Sequence, residues 1–161
     1  NSITLWGMAK SFGMAGLRLG WVATKNRELL QKMMQFKDYL SICNNPMSET
    51  LSLIALNHKE RFIQPNIAKI IRNKAIFEDF VLKTDGLLKF SPPIAGSTAF
   101  VRINRPNALD YSEKLVRETG IMLVPSEMFE YGRHHLRIGF GRENMAEVLG
   151  VWEKYLDKIE K

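Results

Sequence analysis

The sequence predicts an α/β chain whose second half is a small α+β arrangement, and three observations predict it. A glycine-rich loop near the start lies between two short runs of strand formers. The middle of the chain carries long stretches in which apolar residues recur at helical spacing. Beyond residue 85, short strand patterns alternate with helix patterns, as expected of a small sheet backed by helices.

Taken in order, Ile3 to Trp6 and Leu19 to Thr24 are the first two strand candidates. Asn26 is placed to cap a helix that runs to about Tyr39, with Leu29, Leu30, Met33, Met34 and Lys37 on one face and the methionines as core filler. Asn44-Asn45-Pro46 is a turn, after which a helix is expected from Ser48 to Asn57. Pro65 suits the first turn of a helix, where its missing N–H costs nothing. Ile67, Ile70, Ile71, Phe77 and Phe80 then keep helical spacing to about Lys83, and Asp85-Gly86 ends the helix. Ser91-Pro92-Pro93 marks an irregular crossing. Strands are expected at Ala99–Ile103, Ile121–Val124 and His135–Phe140, and helices at Ala108–Thr119 and from Glu143 to about Ile159.

Composition narrows the function classes. The 161 residues suffice for one ordinary domain, or for a small domain plus part of another. With 45% hydrophobic and 25% charged residues the chain reads as soluble and globular. No apolar run approaches the roughly 20 residues that span a bilayer, and no signal-peptide pattern opens the chain. The single cysteine, Cys43, excludes an internal disulfide, fits a reducing cytoplasm and is expected to be a buried, inert thiol. The net charge of +6 is spread among interleaved acids, without a helix-turn-helix, zinc-ligand or RNA-binding signature. No nucleic-acid or membrane partner is therefore expected.

Two places carry chemistry. The stretch from Gly7 to Gly20 joins Lys10 to Arg18, with Gly13, Gly16 and Gly20 after the lysine. Glycine permits backbone shapes and close approaches that a Cβ forbids, so this is a shaped loop presenting two cations to something anionic. The plainer alternative is a glycine-rich turn with two solvated cations, and context must decide between them. The second place is Leu136-Arg137-Ile138-Gly139-Phe140, with one arginine in an apolar strand. Such an arginine is either held in a structural salt bridge or faces a cleft, because an isolated buried charge is costly. His134 and His135 would face opposite ways on a strand, which argues against a two-histidine metal site.

The Gly7–Gly20 segment resembles the pyridoxal-phosphate attachment signature of class I/II aminotransferases, in which the lysine is followed by two variable residues and then Gly-apolar-x-Gly-x-Arg-apolar-Gly. The resemblance implies that Lys10 forms a Schiff base with the cofactor aldehyde and that Arg18 binds the cofactor phosphate. Ala9 and Gly7 stand where many members carry hydroxyls. Arg137 matches the family's small-domain arginine, which implies that it holds the substrate α-carboxylate through a bidentate fork. Val124 to Phe129 resembles the Pro-Gly-x-x-Phe loop before that strand, with Ser126 in place of the glycine, and Gly96 to Phe100 is like the family's Gly-x-x-Phe strand. Asn45 falls in a loop that lies near the active site in the family.

The resemblance further implies a fold type I arrangement. Residues 1–60 would be the tail of the large pyridoxal-phosphate domain, 61–84 a connecting helix and 85–161 the small C-terminal domain. The cofactor Asp and Tyr partners and the Asn-Pro loop of the family are not found, so the chain reads as a C-terminal portion, expected to be inactive alone. The implied activity is amino transfer between amino acids and 2-keto acids by a cytoplasmic homodimer. A β-lyase or decarboxylase of the same fold, or an aminotransferase-like sensor domain of a transcription regulator, are the rival readings.

Overall fold

The two strand candidates near the start pair as an antiparallel hairpin, β1 (Ile3–Gly7) with β2 (Gly20–Thr24), in a register running from Ile3 opposite Thr24 to Gly7 opposite Gly20. This hairpin comes from a computed structural model that describes residues 2–159. Glycine is required where the hairpin opens into its loop. A Cβ on Gly20 would stand 2.6 Å from the Trp6 carbonyl oxygen, closer than real Cβ contacts come. Helix α1 (Arg27–Leu40) follows, capped by Asn26, whose side chain accepts the Leu29 N–H at 3.0 Å.

Helices α2 (Pro46–Asn57) and α3 (Lys59–Leu82) both start earlier than the sequence suggests. In α2, Asn45 caps and Pro46 occupies the first turn, so the expected turn is itself the helix start. In α3, Pro65 lies inside the helix rather than at its start. Only His58 separates α2 from α3. Its N–H reaches the Ile54 and Ala55 carbonyls and its own carbonyl accepts from Arg61 N–H, so the chain turns back into helix at once. Pro65 lacks the N–H that would close the preceding turn. Beside it the Asn66 amide donates to the Phe62 carbonyl at 3.0 Å and to the Ser11 carbonyl at 3.4 Å.

The chain divides into two compact units, residues 1–67 and 68–161. The first unit's core is Met8, Phe12 and Ala55, joined by Leu17, Leu19, Phe62 and Ile63. Helix α1 has no buried residue among those described. Met34 and Phe36 are exposed, and together with Leu5, Trp21, Met33 and Leu40 they line an open apolar groove of about 700 Å³. The face expected to fill a core is thus uncovered, because one hairpin and this helix leave no further layer against it. Cys43 is likewise exposed, in the link between α1 and α2, where no side chain packs over it into a core.

The second unit is built on a four-stranded antiparallel sheet of order β3-β4-β6-β5: β3 (Leu88–Lys89), β4 (Thr98–Ile103), β5 (Val124–Pro125) and β6 (His135–Gly139). Alternation sends Val101, Ile103, Leu136 and Ile138 into the core against Phe77, Leu115, Phe140 and Trp152. Helices α4 (Ala108–Thr119) and α5 (Met145–Ile159) cover it, and the Trp152 indole N–H donates to the Tyr111 hydroxyl at 2.7 Å. The strand expected at Ile121–Val124 is reduced to Val124–Pro125. Ile121 instead gives its N–H to the Thr119 hydroxyl and buries its side chain, which ends α4 but keeps the segment out of the ladder. Strand β3, two residues long, carries too little pattern to be read from sequence.

Candidate active site

The loop between β1 and β2 is held at its mouth and anchored from within. Met8 N–H donates to the Leu19 carbonyl at 3.0 Å, Met14 N–H to the Met8 carbonyl at 3.0 Å, and Gly13 N–H to the Lys10 carbonyl at 3.1 Å. Met8 is 0% and Phe12 5% exposed, so the residues two before and two after the lysine are driven into the unit's core. Lys10 stands between these anchors and is exposed, without an ion-pair partner among the described residues. Gly13 has φ +70, a left-handed conformation that suits glycine, with the Asn66 amide closing the space beside it.

A single 3-10 turn, Ala15–Leu17, then delivers Arg18 in a left-handed conformation, φ 50 and ψ 34. A non-glycine residue there costs about 1–2 kcal/mol, and strain of this kind clusters at binding sites. The guanidinium donates to the Ala15 carbonyl at 3.2 Å and is otherwise open to solvent. Between the two cations, Gly16 has nothing within 4 Å of where a Cβ would lie. Neither packing nor a left-handed φ explains that glycine. Open ground beside a strained arginine and an exposed amine fits a ligand that carries an anion and an electrophilic carbon.

Asn45 has a local occupation. Its side-chain oxygen accepts the N–H groups of Met47 at 2.9 Å and Ser48 at 3.4 Å, which caps α2.

The second unit holds Arg137. On β6 it lies opposite Phe100 of β4 and Val124 of β5, on the face away from the core. Its guanidinium carbon is 5.5 Å from the centroid of the Phe129 ring. No salt bridge to Arg137 exists among the described residues, so the structural-ion-pair explanation of this arginine has no support in the geometry. Around it lie Phe100 and Phe129, the aromatic positions of the two resembled motifs, and Tyr131, which sequence reading does not single out. Phe100 meets Phe129 at 5.3 Å and Tyr131 at 5.7 Å, both edge-on, and stacks on His135 at 6.0 Å. The available signal was alternation: Phe100 and Arg137 each sit one residue from a buried strand position. Burial, with the charges of Arg102 and His134, lowers the His135 pKa below its ordinary value.

Both ends of β6 are fixed. At its start the hydroxyl of Ser126, a fully buried residue, accepts His135 N–H at 3.1 Å and donates to the Gly132 carbonyl at 3.2 Å. The serine that replaces the resembled loop's glycine thus ties the loop to the strand. Beyond the strand's end, Asn73 of α3 is 0% exposed and donates to the carbonyls of Phe140 at 2.9 Å and Arg142 at 2.6 Å. Glu143 bridges Lys69 at 2.6 Å and Arg72 at 3.2 Å. Lys10 and Arg18 therefore share one loop of the first unit, and Arg137 stands on a strand braced at both ends in the second.

A family model described as aminotransferase class I and II matches residues 1–150. Capreomycidine synthase of Streptomyces vinaceus is 27% identical over 134 residues, 83% of this chain and 34% of that protein. The L-aspartate:5-guanidino-3-methyl-2-oxopentanoate transaminase of Pseudomonas syringae pv. syringae is 25% identical over 164 residues, 96% of this chain and 40% of that protein. Among solved structures, a PLP-dependent aminotransferase from Streptococcus suis 89-1591 superposes with a TM-score of 0.89 at 26% identity, covering 99% of this chain and 42% of that one. The chain thus spans well under half the length of these relatives.

Proposed function

The chain belongs to the class I and II aminotransferase family, and from that premise we propose that it supplies the lysine loop and the carboxylate anchor of a pyridoxal-phosphate-dependent aminotransferase. The observation that carries the reading is the anchored loop: Met8 and Phe12 buried, Lys10 and Arg18 exposed, and unfilled space at Gly16. These residues fit pyridoxal phosphate, which offers an aldehyde to an amine and a phosphate to a guanidinium. Lys10 would hold the aldehyde carbon and Arg18 the phosphate oxygens. When bound, the cofactor supplies the electron sink that makes a substrate Cα–H acidic.

The protein's own part is positioning and proton transfer. Lys10, as the free amine, would take the proton from the substrate Cα as general base. Arg137 presents two parallel N–H groups to the substrate α-carboxylate, a geometry that lysine cannot offer. Held at both ends, its strand gives that fork a fixed direction, and orientation of this kind is a large part of catalytic advantage. The substrates in this reading are an amino acid and a 2-keto acid, and the setting is a cytoplasmic homodimer. A second reading has support in one relative, a synthase rather than a transaminase. The same three residues would serve a lyase, which also begins with removal of the Cα proton, or a decarboxylase, in which the bond from Cα to the carboxylate carbon breaks instead.

The phosphate role is tested by comparing pyridoxal phosphate with pyridoxal as ligands of this protein. Charge-assisted hydrogen bonds of about 1.5–3 kcal/mol predict that pyridoxal phosphate binds about tenfold or more tightly, with the difference gone in Arg18→Gln. An undiminished phosphate preference in Arg18→Gln would remove Arg18 from this role.

A further inference from the structure

We infer that Asn66 of α3 is a positioning residue for Lys10: its side-chain amide fastens the turn that Lys10 begins to a rigid helix. The inference rests on the reading of Lys10 as the amine that meets the cofactor's aldehyde, and adds the group that holds that amine in place. Gly13 N–H closes on the Lys10 carbonyl at 3.1 Å, so residues 10–13 form a turn with Lys10 at its head. The two common kinds of such a turn differ by a flip of the central peptide, here the one between Ser11 and Phe12. Phe12 is not among the left-handed residues, so the Ser11 carbonyl keeps the unflipped direction. That carbonyl accepts from the Asn66 amide at 3.4 Å, and the amide's other N–H goes to the Phe62 carbonyl at 3.0 Å. Both neighbours are acceptors, so only the NH2 side of the amide can face them. Gly13 completes the fit: the Asn66 nitrogen lies 3.1 Å from where a Cβ would stand, and a side chain there would push the amide away.

The helix gains nothing from this residue. Asparagine is a poor helix former because its amide competes for backbone groups, and Pro65 just before it lacks an N–H. Two poor helix formers thus stand together inside α3 where the lysine loop meets it. A local cost of this kind is expected where a side chain serves something outside its own element. Among the described residues, this is the hydrogen bond that joins the lysine loop to a helix. The loop's other bonds, from Met8, Gly13, Met14, Leu17 and Arg18, stay within the loop and its mouth. Burial of Met8 and Phe12 anchors the loop through apolar contact, which is non-directional. Asn66 supplies the directional part. A turn released from α3 spends part of its time in other arrangements, and its apparent affinity for a ligand falls by the fraction that stays competent.

The chain itself serves for the test. Native protein, Asn66→Ala and Asn26→Ala are treated with rising pyridoxal phosphate and reduced with borohydride, and labelling of Lys10 is read by mass spectrometry. Asn26→Ala removes the cap of α1 in the same unit and reports lost stability alone. Alanine is the better helix former at position 66, so the helix itself is not weakened there. Half-labelling of Lys10 should need about threefold to tenfold more pyridoxal phosphate in Asn66→Ala, the worth of one ordinary hydrogen bond. It should be unmoved in Asn26→Ala. Acetylation of Lys10 by a small reagent, which needs no fixed direction, should match the native rate in both. The carbonyl 13C resonance of Ser11 should shift in Asn66→Ala and in Asn66→Asp, which keeps the shape of the side chain and, ionised, donates nothing. An unmoved Ser11 resonance overturns the hydrogen bond. Unchanged labelling in Asn66→Ala, an equal loss in Asn26→Ala, or a parallel fall in acetylation overturns the positioning role and leaves Lys10 as the cofactor's amine. Absence of selective Lys10 labelling in the native protein overturns the reading of Lys10, and the role of Asn66 with it.

Discussion

At the residue scale, the lysine loop owes its shape to a few positions whose neighbours allow no alternative, and to one whose neighbours allow any. Gly20 has the Trp6 carbonyl where a Cβ would go, whereas Gly16 faces open space. Both glycines were legible as part of one signature, but their different reasons were not, because sequence does not show which backbone passes close by. The contrast predicts a split. Gly20→Ala should destabilise the first unit by about 1–3 kcal/mol, the usual cost of forcing atoms into filled space. Gly16→Ala should leave the urea midpoint where it is or raise it slightly by stiffening the unfolded chain. Equal effects of the two substitutions would contradict the packing described for the loop. Arg137 shows a similar limit. Its strand was readable, yet the ring company it keeps depends on Phe129 and Tyr131, which reach it through a turn that ends in left-handed Glu130.

At the element scale, α3 and the segment after β6 are coupled by groups that lie far apart in sequence. Asn73, Lys69 and Arg72 on the helix hold Phe140, Arg142 and Glu143. In sequence Lys69 and Arg72 lie off the apolar stripe of α3, where a solvated face is the simplest expectation. Their exposed partner Glu143 shows why: a charge stripe on a helix looks the same in sequence whether it meets water or an acid seventy residues later. Hydrogen bonds from Lys69 and then Arg72 hold the Glu143 carboxyl below its ordinary pKa of 4.5. A depressed folded-state pKa means that the contribution is present above the unfolded value and is lost as pH falls through the folded one. Thermal midpoints measured between about pH 5 and about pH 3 should therefore fall more steeply in the native protein than in Glu143→Gln. Parallel curves would mean that this bridge contributes nothing. The helix starts show the same dependence on context. Pro65 marks a helix start by local rule, but the Arg61 turn before it is held by His58 and by contacts of Phe62 and Ile63 with the first core.

At the scale of the whole molecule, the sequence patterns foretell the order of strands and helices apart from the two-residue β3, because alternation and helical spacing record which faces are buried. They did not foretell which apolar faces stay open. The α1 groove, with Leu5, Trp21, Met33 and Leu40, reads as core by composition yet is uncovered among the described residues. The chain spans 34–40% of the curated relatives described above, and the Asp motif that the resemblance calls for beside the cofactor's ring has no match in its sequence. The purified chain supplied with pyridoxal phosphate, an amino acid and a keto acid is accordingly expected to show no amino transfer. Measurable keto-acid-dependent turnover by these residues alone would contradict that expectation.

The central claim is that Lys10, raised between the buried Met8 and Phe12 and flanked by Arg18, is the amine that holds the cofactor. It is tested most directly by treating the protein with a small excess of pyridoxal phosphate, reducing with borohydride and mapping the modified lysine by mass spectrometry. Selective modification of Lys10, diminished in Arg18→Gln, is the predicted result. Modification spread evenly over the exposed lysines, with Lys10 no more labelled than Lys25 or Lys32, would contradict it.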